Sequence, residues 1–207
     1  MGFRPAVNTP LWQNDPVETI AIFHSVLGLR AVEQEAAERF RSCGFRVVLP
    51  DLYAGRRTES LDEGFQVMAE IGWPMICRRA AEAMRNLPDT SILAGFSMGA
   101  GVISSLWRER PASRGVLLFH GLAEVPRNVR SGFRVQTHIA SVDRFVSGEQ
   151  RALWSESGRK AGLSIEDFSY SEAGHFFTDF NSTDYDAAAS ELAWKRALKF
   201  LHELSLT

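Results

Sequence analysis

Cysteine is scarce in this chain: Cys43 and Cys77 are the only two in 207 residues. Two thiols cannot build the dense disulfide framework of a small secreted scaffold. Neither lies in a C-x-x-C pair or near a histidine at metal-ligand spacing, so no zinc site and no other metal is expected. Both read as ordinary reduced thiols. Long apolar runs are missing too. No stretch approaches the roughly 20 apolar residues of a spanning helix, which argues against a membrane segment. Segment 1–16 carries Arg4, Pro5, Asn8, Pro10, Asn14 and Asp15 without a continuous apolar run, and does not read as a secretion signal. A soluble, cytoplasmic protein is the resulting expectation. Charge of either sign is not concentrated. With a net charge of −2 and no basic cluster, nucleic acid is not an expected partner. Repeats and low-complexity tracts are absent as well.

What is present is a substantial apolar content, 45%, in a length that suits one domain over 1–207, with its core in 17–204. Nearly continuous apolar runs at 19–23, 45–49, 91–96 and 115–119 predict central strands buried on both faces. The runs at 133–139 and 163–168 alternate with polar residues and predict strands nearer the sheet edge, one face partly wet. Helical patterns fall between them, at 31–43, 75–87, 98–110, 148–161 and 185–203. The first stops at Gly44, and Thr183 with Asp186 has capping-box spacing before the last. Strands alternating with helices predict an α/β fold: a parallel sheet covered on both sides. Ligands of such sheets bind beyond the carboxyl ends of the strands, so reactive groups should follow strands.

One does. Gly95-Phe96-Ser97-Met98-Gly99 is a G-x-S-x-G sequence between an apolar strand and a helical pattern, the setting in which this motif carries a nucleophile. A sharp turn pushes Ser97 outward, and side chains two residues away on either side would collide with backbone, hence the two glycines. Ser97 then stands at a helix start, where the N–H of Met98 can stabilise an oxyanion. A serine hydroxyl needs a base. Of five histidines, His138 lies mid-strand and His202 on the polar side of the last helix, so both are structural or solvent-facing. His24 and His120 follow strands and can line a pocket. His175 follows the last strand, and the chain order serine, acid, histidine makes it the candidate base. Asp143, after the strand ending near Ala140, is the candidate acid, holding the imidazole tautomer. Asp179 is the competing acid.

At these positions the sequence resembles the dienelactone hydrolase family. Residues 22–28 (Ile-Phe-His-Ser-Val-Leu-Gly) are similar to its first strand and glycine-ended loop. Residues 44–55 match its glycine–aromatic–strand segment ending in Pro50-Asp51-Leu52-Tyr53. The elbow at 95–99, the acid segment at 142–146, the base segment at 173–176 and the helix at 185–204 extend the likeness over residues 17–204. The resemblance implies an α/β-hydrolase fold without a cap domain, an esterase-like activity, and a second oxyanion N–H from the first-strand loop, by register Val26 with Ser25 as the alternative.

Three departures bear on substrate. Many members use cysteine where Ser97 stands, and those carry a glutamate where Ser25 stands. Members acting on dienelactones hold the substrate carboxylate with arginines, one just after the base. Here that region reads Phe176-Phe177-Thr178-Asp179, and Arg56 and Arg57 are the nearest substitutes. The expected chemistry is therefore acyl transfer from a small neutral ester or lactone to Ser97 and then to water, with no cofactor. An apolar pocket near His24, Tyr53, Trp73, His120 and Phe176 is expected from strand-end positions. Dienelactone hydrolysis proper (carboxymethylenebutenolidase activity), acyl transfer to another acceptor, and a non-catalytic binding protein on the same fold are the alternatives. Oligomeric state is not legible.

Overall fold

Six of the apolar runs become six strands of one sheet: β1 (Thr19–Phe23), β2 (Arg46–Val48), β3 (Ile92–Phe96), β4 (Gly115–Phe119), β5 (Arg134–Ala140) and β6 (Ser164–Tyr170). The computed structural model describes residues 17–206, so the segment 1–16 set apart in the sequence lies outside the described residues. The spatial order is β2-β1-β3-β4-β5-β6, and every pairing is parallel. Crossovers are made by α1 (Ala31–Ser42), α2 (Leu61–Ile71), α3 (Trp73–Met84), α4 (Met98–Trp107) and α5 (Gly148–Lys160), and α6 (Ala187–Ser205) closes the described chain.

Alternating strand residues feed two cores. Ala21, Phe23 and Leu93 point to one face, where Val67 of α2, Ile76 and Met84 of α3, and Val102 and Leu106 of α4 cover them. Ile20, Ile22 and Ala94 point to the other, against Phe40 of α1 and Trp194, Phe200 and Leu201 of α6. Burial on both faces is why β1, β3 and β4 read as unbroken apolar runs. Only residues 120–133 separate β4 from β5, so no cap domain is inserted there. No helix among the described residues is long and apolar enough to cross a membrane.

The structure corrects the sequence reading in four places. The run at 45–49 predicts a central strand, yet among the described residues β2 is a short edge strand paired only with β1. The mixed run of β5 predicts a partly wet face, but β5 lies inside the sheet with Gln136, Thr137 and His138 buried. They are tolerated because they are satisfied. Thr137 donates to Asp167 at 2.6 Å, and His138 stacks on Phe119 between hydrogen bonds to Tyr170 and Gln136. Helix α2 is not among the helices expected. Its signal is Ser60, whose hydroxyl accepts the N–H of Glu63, followed by apolar Leu61, Phe65, Met68 and Ile71. Finally, α6 is capped by Asp186 alone, which accepts the N–H of Ala189.

Candidate active site

The turn from β3 into α4 is as sharp as the glycines require. Ser97 has φ 50° and ψ −108°, a left-handed backbone that costs a non-glycine residue energy. A Cβ at Gly95 would lie 2.6 Å from the Gly99 carbonyl carbon, and one at Gly99 would lie 2.1 Å from the Phe23 oxygen. Ser97 occupies the N-cap position of α4, yet its side chain makes no capping bond. It is turned out instead, with Oγ 3.0 Å from Nε2 of His175.

The imidazole of His175 is buried, and its Nδ1 lies 2.7 Å from Oδ2 of Asp143. The edges of Phe145 and Phe176 flank the ring at 4.6 and 4.5 Å between centroids. The other carboxylate oxygen of Asp143 accepts the N–H groups of Phe145 at 2.8 Å and Val146 at 3.1 Å. Burial by itself would raise the Asp143 carboxyl, but the bond from His175 and these two N–H groups hold it below the ordinary carboxylate range. The carboxylate is thus ionised and aimed, so Nδ1 of His175 carries the proton and Nε2 faces the hydroxyl with a lone pair. That arrangement can take a proton from Ser97 and return it to a leaving group. The competing acid, Asp179, is elsewhere: it is buried against the guanidinium of Arg30.

A model of the dienelactone hydrolase family matches residues 3–205. The chain belongs to the dienelactone hydrolase family. It is therefore a hydrolase acting on carboxylic ester bonds. The carboxymethylenebutenolidase of Pseudomonas putida is 27% identical over 91% of this chain and 87% of its own. Among solved structures, a dienelactone hydrolase-like promiscuous phosphotriesterase, P91, from metagenomic libraries superposes with a TM-score of 0.73 at 20% identity, covering 94% of this chain and 89% of its own. Esterase 2 of Thermogutta terrifontis, phosphorylated by paraoxon, superposes with a TM-score of 0.60 at 18% identity, covering 92% of this chain and 84% of its own. Those two likenesses carry the α/β-hydrolase fold.

In this family member a cavity of about 350 Å³ opens beside Ser97. Its walls include Val26, Leu61, Phe65, Met68, Trp73, Met98, His120 and Phe145, and none of the described residues lining it is charged. Of the residues expected there, Val26, Trp73, Met98 and His120 do line it, and five do not. His24 is fully buried, its Nε2 accepting the Leu52 N–H at 3.0 Å and its Nδ1 donating to the Ser25 carbonyl at 2.7 Å. Burial holds its pKa low, so it stays a neutral brace between two loops. Ser25 is turned into its own loop, where its hydroxyl accepts the Leu27 N–H. Tyr53 sits behind Met98, its hydroxyl 3.1 Å from the sulfur. Arg56 pairs with Glu70 at 2.6 Å out in solvent. Phe176 meets the His175 ring edge-on and does not line the cavity.

Sequence reasoning missed Leu61, Phe65 and Met68, which reach the cavity from α2. Phe145 lies two residues after the acid in sequence; across the cavity it meets Phe65 at 6.0 Å. His120 has φ 61° and lies in the described turn after β4. Its Nε2 is 2.7 Å from the Thr178 hydroxyl, and its buried Nδ1 has no partner among the described residues. Burial, reinforced by His175 and His138 nearby, pushes its pKa well down, so it is a neutral ring. Among the described residues no group of His, Cys, Asp and Glu is arranged to hold a metal ion.

Proposed function

We propose that this protein hydrolyses small neutral carboxylic esters or lactones through a covalent acyl-enzyme on Ser97. The observation that carries the reading is the unbroken hydrogen-bonded line from Ser97 through His175 to Asp143. His175 takes the Ser97 proton as Oγ attacks the ester carbonyl carbon. The carbonyl electron pair moves to oxygen, where the N–H groups of Met98 and Val26 receive it. When the tetrahedral intermediate collapses, the bond to the alcohol breaks and His175 gives that oxygen its proton. Water then repeats the sequence on the acyl-enzyme, releasing the acid and free Ser97.

The loop after β1 supports Val26 as the second donor. The N–H groups of its neighbours are already engaged: Ser25 to Glu33 at 3.3 Å, Leu27 to the Ser25 hydroxyl at 3.4 Å, and Gly28 to the Ser25 carbonyl at 3.1 Å. Val26 lines the cavity with no such bond of its own among the described residues. The uncharged lining supports a neutral substrate. The segment just after the base, where dienelactone-binding relatives are expected to carry an arginine, reads Phe176-Phe177-Thr178-Asp179, and the Arg30 guanidinium is paired with Asp179.

The test is turnover of p-nitrophenyl acetate and of a neutral five-membered lactone by wild type and Ser97→Ala. We expect kcat to fall at least a thousandfold in the variant. Wild-type turnover in Ser97→Ala overturns the reading. The carboxymethylenebutenolidase likeness favours a second reading, hydrolysis of an anionic dienelactone. A kcat/KM for the dienelactone anion well above that for the neutral lactone would select it.

A further inference from the structure

The two loops that would flank the reacting carbonyl come from opposite ends of the chain, and a buried charged relay joins them. Arg30 begins α1 just after the loop holding Ser25 and Val26, and Asp179 lies four residues beyond His175. Both side chains are buried, and the Arg30 guanidinium donates to the Asp179 carboxylate. A second guanidinium nitrogen reaches Glu59, which is largely in solvent, at 3.4 Å. The relay continues through the backbone. The Arg30 N–H donates to Oε2 of Glu33 at 3.0 Å, and Oε1 of the same buried carboxylate accepts the Ser25 N–H at 3.3 Å. On the other side, Asp179 stays in its own loop, its N–H on the Phe176 carbonyl at 2.9 Å and its Oδ1 on the Asn181 N–H at 2.9 Å.

We infer that Arg30, Asp179 and Glu33 are positioning residues for the acyl-transfer reaction, fixing the Val26 N–H and the His175 ring relative to each other. The inference rests on the acyl-enzyme reading above. Holding the Ser25 N–H on Glu33 leaves the next N–H, that of Val26, to face the cavity. Anchoring Asp179 to Arg30 ties the base loop to the same frame. None of the three borders the Ser97 cavity, so each would act through the loop it holds. Charge accumulates on the carbonyl oxygen only in the transition state, so loosening this frame should cost kcat and spare KM.

The test compares Arg30→Met, Arg30→Lys, Asp179→Asn and the apolar pair Arg30→Met with Asp179→Leu. An apolar pair can replace a buried ion pair without loss of stability, which separates folding from positioning. We expect kcat to fall about tenfold to a hundredfold in Arg30→Met and Asp179→Asn, with KM within threefold. Affinity for a boronic acid that mimics the tetrahedral oxyanion should fall in parallel with kcat. Arg30→Lys, which keeps a charge on Asp179, should recover part of both. The apolar pair should melt near wild type and still turn over slowly. Where Arg30→Met does not fold, Arg30→Lys and Asp179→Asn give the same kcat-against-KM comparison. A folded apolar pair with wild-type kcat and boronate affinity overturns the positioning role. Failure of the acyl-enzyme reading would be seen separately, as full turnover by Ser97→Ala.

Discussion

Asp143 does two jobs at residue scale, and they can be separated. Its Oδ2 fixes the His175 tautomer, while its Oδ1 folds its own loop onto the Phe145 and Val146 N–H groups. Asp143→Asn keeps an acceptor for the loop but offers His175 the wrong partner. It should lower kcat by roughly three to four orders of magnitude with little change in melting temperature, read from steady-state kinetics and a thermal scan. Asp179→Asn should cost far less, because Asp179 acts through Arg30 and not on the imidazole. The juxtaposition of Ser97, His175 and Asp143 was legible from the sequence because each follows a strand, and parallel strands deliver such residues to one rim. The environment of each residue was less legible. His24 follows a strand as His175 does, but the Leu52 N–H and the Ser25 carbonyl claim both its nitrogens. Nothing in the spacing of residues distinguishes a ring that turns inward from one that faces the cavity.

Among elements, the tightest constraint is the β3–α4 elbow against β1. Gly99→Ala would place its Cβ 2.1 Å from the Phe23 carbonyl oxygen, a backbone atom that cannot move without displacing β1. We expect a loss of at least about 1–3 kcal/mol, the usual cost of overpacking, visible as a lower urea midpoint or as insoluble protein. Helix α2 sets the opposite wall. Phe65, Trp73 and Phe145 are each about two-fifths exposed and form an apolar rim over Ser97. Phe65→Ala should therefore lower kcat/KM about tenfold for esters with bulky apolar acyl groups and leave acetate esters nearly unchanged, as expected for about 1–2 kcal/mol of lost contact. This wall escaped the sequence reading for a physical reason. Within α2 only Gly64 and Val67 are buried, while Leu61, Phe65 and Met68 face a cavity that exists only once α3, α4 and the Asp143 loop are in place. The edge position of β2 was equally hidden, because its Val47 and the following Leu49 still pack on the α1–α6 core.

The molecule as a whole carries an acid sensitivity written into its buried imidazoles. His24, His120 and His138 are all pushed below the ordinary value of 6.5 by burial, His138 to about 3. The unfolded chain binds protons at these rings near pH 6.5 and the folded chain does not. Their contribution to stability is therefore complete above that pH and is lost progressively below it, for His138 down to about pH 3. Each adds a slope of about 1.4 kcal/mol per pH unit within the window. Glu33 opposes them with one proton, since burial raises its carboxyl in the folded state. Urea midpoints measured from pH 7.5 to 4.5 should fall steadily, and His138→Asn should shallow the fall. The same parallel sheet brings Ser97, Asp143 and His175 to one rim, and the covalent step proposed there can be tested directly. Intact-mass and peptide mapping after a rapid acid quench of a slow ester's turnover should find one acyl group, on Ser97, appearing before the acid product and absent from Ser97→Ala. Hydrolysis at the wild-type rate with no acyl group on Ser97, or with the group on another residue, would contradict it.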